Sequence, residues 1–228
     1  MNGKILEKTE YRDKNCLFED RTQAGIELAE FLAPQYANAE NCMVLAVPAG
    51  GVPVGVELKK RLTLPFDIFL VRKAQIPWST EAGFGAVTLH GEIVLNDKLI
   101  EGIGLSEKDQ EKQINKVKAE LYKRNRLFRG EVSMPQIEGK DIILTDDGLA
   151  SGFTILTAVK SLRRQNARHI TIAVPTAPIK AVRKLAESVN TVCSLHIQYN
   201  RSPFAVASAY RNWKDLSNEE VEKLLKKE

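Results

Sequence analysis

The stretch Ile142-Ile143-Leu144-Thr145-Asp146-Asp147-Gly148-Leu149-Ala150-Ser151-Gly152-Phe153-Thr154 decides how the rest of the chain is read. It opens on a continuous apolar run, the mark of a strand covered on both faces. Two adjacent acids follow, then a loop containing Gly148 and Gly152. The loop passes directly into a helix whose Ile155, Ala158, Val159 and Leu162 recur at helical spacing.

The same rhythm recurs on both sides of this stretch. Asp20 opens a helix signal with Gln23 in the capping-box position, and Ile26, Ala29 and Leu32 fall on one face until the helix stops near Pro34. Residues 43–47 form a buried strand that Pro48-Ala49-Gly50-Gly51 ends abruptly, and a helix follows over about 53–62. Residues 66–71 read as a second buried strand ending in Arg72 and Lys73. Residues 84–96 suit a hairpin with His90-Gly91 in its turn. Ser106 opens a long polar helix whose Ile114, Val117, Leu121 and Phe128 make a narrow apolar stripe. Two further strands at 170–174 and 192–197 flank a helix over about 178–188. This alternation predicts an α/β fold with a mostly parallel central sheet and helices on both faces. Ligands of such sheets lie beyond the carboxyl ends of the strands.

Composition narrows the function classes. The 228 residues are 43% apolar and 27% charged, as in an ordinary globular protein, and no apolar run approaches the length of a bilayer-spanning helix. With no low-complexity linker or internal repeat, one domain over 1–228 is expected. Cys16, Cys42 and Cys193 are odd in number and scattered, which fits a reducing cytoplasm and neither a disulfide framework nor a metal centre. The net charge of +4 is modest and its cations alternate with acids, so no nucleic acid or membrane partner is expected. His90, His169 and His196 lack nucleophile-base or metal spacing and read as surface or satisfied core residues.

The opening stretch carries the chemistry. Adjacent carboxylates fixed by a strand, Asp146 and Asp147, accept hydrogen bonds from vicinal hydroxyls or hold a hydrated Mg2+. Gly148 and Gly152 permit close backbone approach. Amides of about residues 150–154, at a helix start, converge on an anion, and Ser151 and Thr154 add hydroxyls. The Walker A and dinucleotide fingerprints are absent. A ribose bearing a phosphomonoester satisfies both halves, with hydroxyls against the acids and phosphate in the loop. The competing reading is a strand-to-helix turn whose acids cap the helix.

This stretch resembles the thirteen-residue signature of the type I phosphoribosyltransferases. The resemblance extends over Val47-Pro48-Ala49-Gly50-Gly51-Val52-Pro53-Val54-Gly55, Val71-Arg72-Lys73 and Glu81-Ala82-Gly83-Phe84-Gly85-Ala86-Val87, and is similar to a subgroup of unassigned acceptor. It implies a Rossmann-like type I phosphoribosyltransferase fold, with a helical and hairpin insertion at about 76–130 and a small hood built from terminal segments. The implied donor is phosphoribosyl pyrophosphate, with Mg2+, held by Gly148, Leu149, Ala150, Ser151, Gly152, Phe153 and Thr154. The implied pyrophosphate cradle is Ala49, Gly50 and Gly51, a place where the family often has a cis peptide.

On this resemblance Asp146 and Asp147 serve the sugar and the metal, while Arg72 and Lys73 serve the leaving group. A nitrogen acceptor, a nucleobase for a nucleotide-salvage enzyme, then displaces pyrophosphate. A homodimer is also implied. Many relatives carry Arg or Lys where this chain has Ala49, so a non-catalytic sensor of phosphoribosyl pyrophosphate is the alternative. Residues 76–85, or the stretch up to Arg129 with Arg124 and Arg126, are candidates for a flap; a solvated helix face is the plainer reading of those arginines. Tyr199, Phe204, Tyr210 and Trp213 are candidates for a stacking wall or for plain core, as is Trp78 in the flap.

Overall fold

A computed structural model describes residues 3–79, 82–130, 132, 134–200 and 202–226. In chain order the elements are β1 (Lys4–Leu6), α1 (Arg21–Tyr36), β2 (Cys42–Ala46), α2 (Gly51–Leu62), β3 (Phe66–Ile68), β4 (Val71–Gln75), β5 (Gly83–Thr88) and β6 (Ile93–Leu95). They continue with α3 (Asp97–Ile103), α4 (Glu107–Arg129), β7 (Asp141–Thr145), α5 (Phe153–Arg164), β8 (His169–Pro178), α6 (Ile179–Ala186), β9 (Thr191–Gln198) and α7 (Asn218–Lys226). Among the described residues no helix is long and apolar enough to cross a membrane.

The chain forms two compact units, one from residues 1–69, 135–152 and 165–228, the other from 70–134 and 153–164. The first holds a six-stranded sheet in the order β1-β9-β8-β7-β2-β3, with every neighbouring pair parallel. The α/β expectation is met, since helices flank a mostly parallel sheet. Strands β2, β8 and β9 are buried almost throughout, which is why they read as unbroken apolar runs and not as alternation. Packing of α1 on α2 and the sheet buries Ala24, Leu28, Leu32, Val54, Leu58 and Ile143 in one core.

The second unit is built on an antiparallel sheet of order β4-β5-β6, with α4 and α5 packed on its strands. The expected hairpin is there, and its turn is closed by the Gly91 amide donating to the Thr88 carbonyl at 3.0 Å. Ser106 caps α4 by accepting from the Asp109 amide, and Val117 and Leu121 are the buried part of the expected stripe. Ile114 and Phe128 are only half-buried.

Three expectations are corrected. Pro34 lies inside α1, which runs to Tyr36 and closes with the Ala37 amide on the Ala33 carbonyl. A proline in the last turn removes one donor and leaves the closing bond intact. The apolar run 66–71 is two strands, since β3 pairs parallel with β2 through Phe66, Asp67 and Ile68, whereas β4 pairs antiparallel with β5. A run without alternation cannot show where the chain leaves one sheet for another. Arg72 and Lys73 therefore lie within an antiparallel strand and do not end a parallel one. Elements β1, α3 and α7 carry too short a pattern to have been foreseen.

Candidate functional site

Strands β2 and β7 are hydrogen-bonded neighbours in register from Cys42 and Asp141 to Ala46 and Thr145. Both chains then leave the sheet at its carboxyl edge, side by side. The Val47 amide donates to the Thr145 carbonyl at 2.9 Å, which extends the pairing one residue beyond the strands. The β2 loop is Pro48-Ala49-Gly50-Gly51, with a cis peptide between Pro48 and Ala49. α2 starts from it, the Gly51 amide donating to the Val47 carbonyl at 3.0 Å.

At both glycines a side chain would force its neighbours to shift. A Cβ on Gly51 would stand 2.8 Å from the Thr145 carbonyl oxygen and 2.9 Å from the Asp146 Cα. One on Gly50 would stand 1.9 Å from Oδ2 of Asp147. The glycine pair is thus pressed against the acidic pair, and Ala49, Gly50, Gly51, Asp146 and Asp147 meet in one place.

The two acids differ in environment. Oδ1 of Asp146 accepts the Asp147 amide at 2.9 Å, and burial pushes its carboxyl well above the usual aspartate range, with the Asp147 charge adding to the rise. Burial raises Asp147 as well, but the adjacent Arg21 guanidinium opposes the rise. Nε of Arg21 donates to Asp147 Oδ2 at 2.8 Å, and a terminal nitrogen of the same guanidinium donates to the Lys214 carbonyl at 2.8 Å. The Arg21 guanidinium also sits 3.9 Å from the centre of the Trp213 ring. Tyr210 donates its hydroxyl to the Asp147 carbonyl at 2.5 Å and lies 5.3 Å from Trp213, ring to ring.

The loop after the acids is held from below. The Leu149 amide donates to the Thr176 carbonyl at 2.9 Å, and Leu149 is buried. Gly148 is buried where a Cβ would meet Val206 and the Thr176 methyl, and Gly152 has φ +72°, a conformation that glycine adopts without cost. Ala150 and Ser151 are exposed. Phe153 and Thr154 are the first residues of α5, so their amides lie at the positive end of the helix dipole.

Of the two candidate cations, Arg72 forms an ion pair with Glu120 at 2.8 Å inside the second unit. Lys73 is exposed in β4, its side chain crossing Gly83, where a Cβ would come within 2.2 Å of it. Arg124 stacks on Phe128 and Arg129 donates to Asn125 within α4, which accounts for two of the three helix arginines. Of the flap candidate 76–85, residues 83–85 are strand β5, while Thr80 and Glu81 lie outside the described residues.

A cavity of about 670 Å³ lies in the first unit, between the start of α1, Pro53 of α2, and the segment from Arg211 into α7. Arg21, Trp213, Asn212 and Glu220 line it. Of the four aromatic candidates only Trp213 faces this cavity. Tyr210 is core behind it, and Tyr199 donates to Glu7 instead.

Arg21 was not foreseen as a site residue. Its position offered one signal, because an arginine at the first residue of a helix opposes the positive end of the helix dipole and so needs another partner. His196, expected at the surface or as a satisfied core residue, is in the core but only half satisfied. It is buried with Nδ1 bonded to Thr176, while Nε2 has no hydrogen-bond partner among the described residues.

Comparison with known proteins bears on this geometry. The profile of the phosphoribosyl transferase domain matches residues 18–208. A Mycobacterium tuberculosis protein named "Putative phosphoribosyl transferase Rv0571c" is 35% identical over 208 residues, which is 90% of this chain and 45% of that protein. The chain thus spans about half the length of the curated relatives it matches. The crystal structure of TT1426 from Thermus thermophilus has 32% identity and a TM-score of 0.73, over 91% of this chain and 97% of that one. The structure of AQ2163 from Aquifex aeolicus, at 10% identity and a TM-score of 0.52 over 83% of this chain and 81% of its own, shares the fold alone. A profile match over most of the chain, centred on strands and loops that converge as described, establishes the lineage: the chain belongs to the phosphoribosyl transferase domain family.

Proposed function

We propose that the protein binds phosphoribosyl pyrophosphate at the carboxyl edge of β2 and β7 and transfers its phosphoribosyl group to a nitrogen acceptor, releasing pyrophosphate. The observation that carries this reading is the contact of Gly50 and Gly51 with Asp146 and Asp147, which leaves no room for a side chain between two loops. One loop is all backbone and suits the diphosphate. The other presents carboxylates for the ribose hydroxyls and runs on through Gly148 to Thr154, whose amides and hydroxyls suit the 5-phosphate.

Mg2+ fits this set in a limited way. Among the described residues no group of three or more His, Cys, Asp or Glu side chains is gathered to hold a metal. Two adjacent carboxylates suit a Mg2+ carried mainly by substrate phosphates and water, with Asp146 and Asp147 as the protein's share. When bound, the ion neutralises charge on the departing diphosphate. The chain's own contribution is to place the sugar, and to stabilise positive charge on it with Asp146 and Asp147 as the bond to pyrophosphate lengthens. The acceptor enters the cavity beside Trp213, whose ring is tied to Asp147 through both Arg21 and Tyr210. Lys73 is the cation that the resemblance assigns to the leaving group.

The sensor reading keeps one specific observation in its favour. Ala49 supplies no cation, and Arg72 is already paired with Glu120. Calorimetry separates the readings. Wild-type protein binds phosphoribosyl pyrophosphate with Mg2+, and the variant carrying Asp146→Asn and Asp147→Asn does not; equal binding by both removes the donor-site assignment. A panel of nitrogen bases then releases pyrophosphate if the protein is a transferase, more slowly with Lys73→Ala. Saturable binding without turnover on any base identifies a sensor.

A further inference from the structure

The loop assigned to the 5-phosphate is supported by Val206, Leu185 and Thr176, and of these Thr176 is bonded to a buried histidine. Thr176, near the end of β8, meets the loop twice. Its carbonyl accepts the Leu149 amide at 2.9 Å, and its methyl lies where a Cβ on Gly148 would come within 2.8 Å. Its remaining group, the hydroxyl, shares a 2.7 Å hydrogen bond with Nδ1 of His196, the residue directly across the ladder on β9. Thr176 is fully buried and His196 nearly so.

A threonine hydroxyl and methyl share one carbon, so fixing the first fixes the second. Threonine has few χ1 choices, and a hydrogen bond that selects one of them decides where the methyl points. Nε2 of His196 has no hydrogen-bond partner among the described residues. An apolar pair at these two positions would avoid that orphaned nitrogen, so stability alone does not account for a histidine here. Burial pushes the imidazole below its ordinary value, which keeps the ring neutral at neutral pH and able to hold the hydroxyl in one arrangement.

We propose that His196 is a positioning residue for the phosphate loop, holding the Thr176 hydroxyl so that the Thr176 methyl and carbonyl seat Gly148 and Leu149 beneath the 5-phosphate. The proposal rests on the donor-site reading above and adds to it a residue that touches no substrate. It predicts a selective defect, because the pyrophosphate cradle hangs from β2 and not from β8.

Two probes test it on the full chain: ribose 5-phosphate for the loop, and inorganic pyrophosphate with Mg2+ for the cradle. His196→Leu and Thr176→Val each weaken ribose 5-phosphate binding about tenfold, the order expected when a preorganised loop loses its support. Pyrophosphate binding stays within about twofold, and the double variant is no weaker than either single one, since both cut the same link. Thermal melts establish that each variant is folded, and if one of them is not, the other decides. Equal loss for both probes, multiplied losses in the double variant, or ribose 5-phosphate binding unchanged in a folded single variant overturns the proposal. A wild-type protein that does not bind ribose 5-phosphate removes the donor-site reading itself, and the role of His196 with it.

Discussion

Asp146 and Asp147 are adjacent in sequence yet differ in their partners. The Asp147 carboxylate has a matched guanidinium in Arg21, with side-chain exposures of 14% and 9%. Asp146 accepts one amide, and burial dominates its titration. Its pKa is raised above that of an unfolded chain, so the protonated form is favoured by folding. The stability linked to that proton is complete below the ordinary aspartate value and is lost as pH rises through the folded one. Asp146→Asn keeps the oxygen that accepts the Asp147 amide and removes the charge. It is expected to stabilise the ligand-free protein near neutral pH by about 1 kcal/mol, or about 2–4 °C in Tm, while abolishing donor binding. The gain should shrink as pH approaches the ordinary value of about 3.9. Burial raises the Asp147 pKa too, but Asp147→Asn should still cost about 3 kcal/mol, because leaving Arg21 buried without its carboxylate outweighs the relief of that burial. Thermal melts across pH check both, and a lower Tm for Asp146→Asn at neutral pH would refute the argument. Neither effect was legible from two consecutive acids alone, since the partner Arg21 lies 126 positions away in the chain.

The elements converge through backbone contact, so their sensitivity should be greatest where backbone has no freedom to move. A Cβ on Gly51 meets the Thr145 carbonyl and the Asp146 Cα, and room for it appears only if the ends of β2 and β7 separate. Gly51→Ala is expected to cost about 2 kcal/mol, the usual range for overpacking, and to remove pyrophosphate binding. Gly50→Ala meets the end of the Asp147 side chain, which can turn, so its cost in stability is set by how far the Arg21 pair is disturbed. Gly102→Ala in α3 is the control, because nothing lies within 4 Å and alanine favours a helix by about 0.5–1 kcal/mol over glycine. Denaturant midpoints and pyrophosphate titration read all three; a wild-type midpoint for Gly51→Ala would show the loops to be freer than this contact implies. Strand β7, its loop and α5 were legible because strand, turn and helix signals follow one another in a single stretch. Ser106 was legible as a cap for the same local reason. The switch of sheets between Ile68 and Val71 was not, because both strands are apolar and only the partner differs. The pairing of Arg72 with Glu120, which takes up a cation expected for the leaving group, depends on α4 packing against β4, a contact no local pattern records.

At the scale of the whole molecule, ligand binding must appear as stability, because whatever binds the folded chain and not the unfolded one displaces the folding equilibrium. The proposed site offers two carboxylates to a cation, and one of them is already shared with Arg21. A hard dication that demands about six oxygens finds too few here without the oxygens of a diphosphate and water. Mg2+ alone is therefore expected to leave Tm unchanged. Phosphoribosyl pyrophosphate with Mg2+ at about 100 times its Kd adds about 2.7 kcal/mol. For a chain of this size that is about 5–10 °C. Chelating the metal in the presence of donor should return most of that shift, since the diphosphate then presents its full charge to a cradle that has no cation at Ala49. The decisive comparison is Mg2+ without donor. A shift as large as that of the pair would mean that the chain assembles a metal centre of its own, and that the two aspartates do more than complete a coordination shell brought in by the substrate.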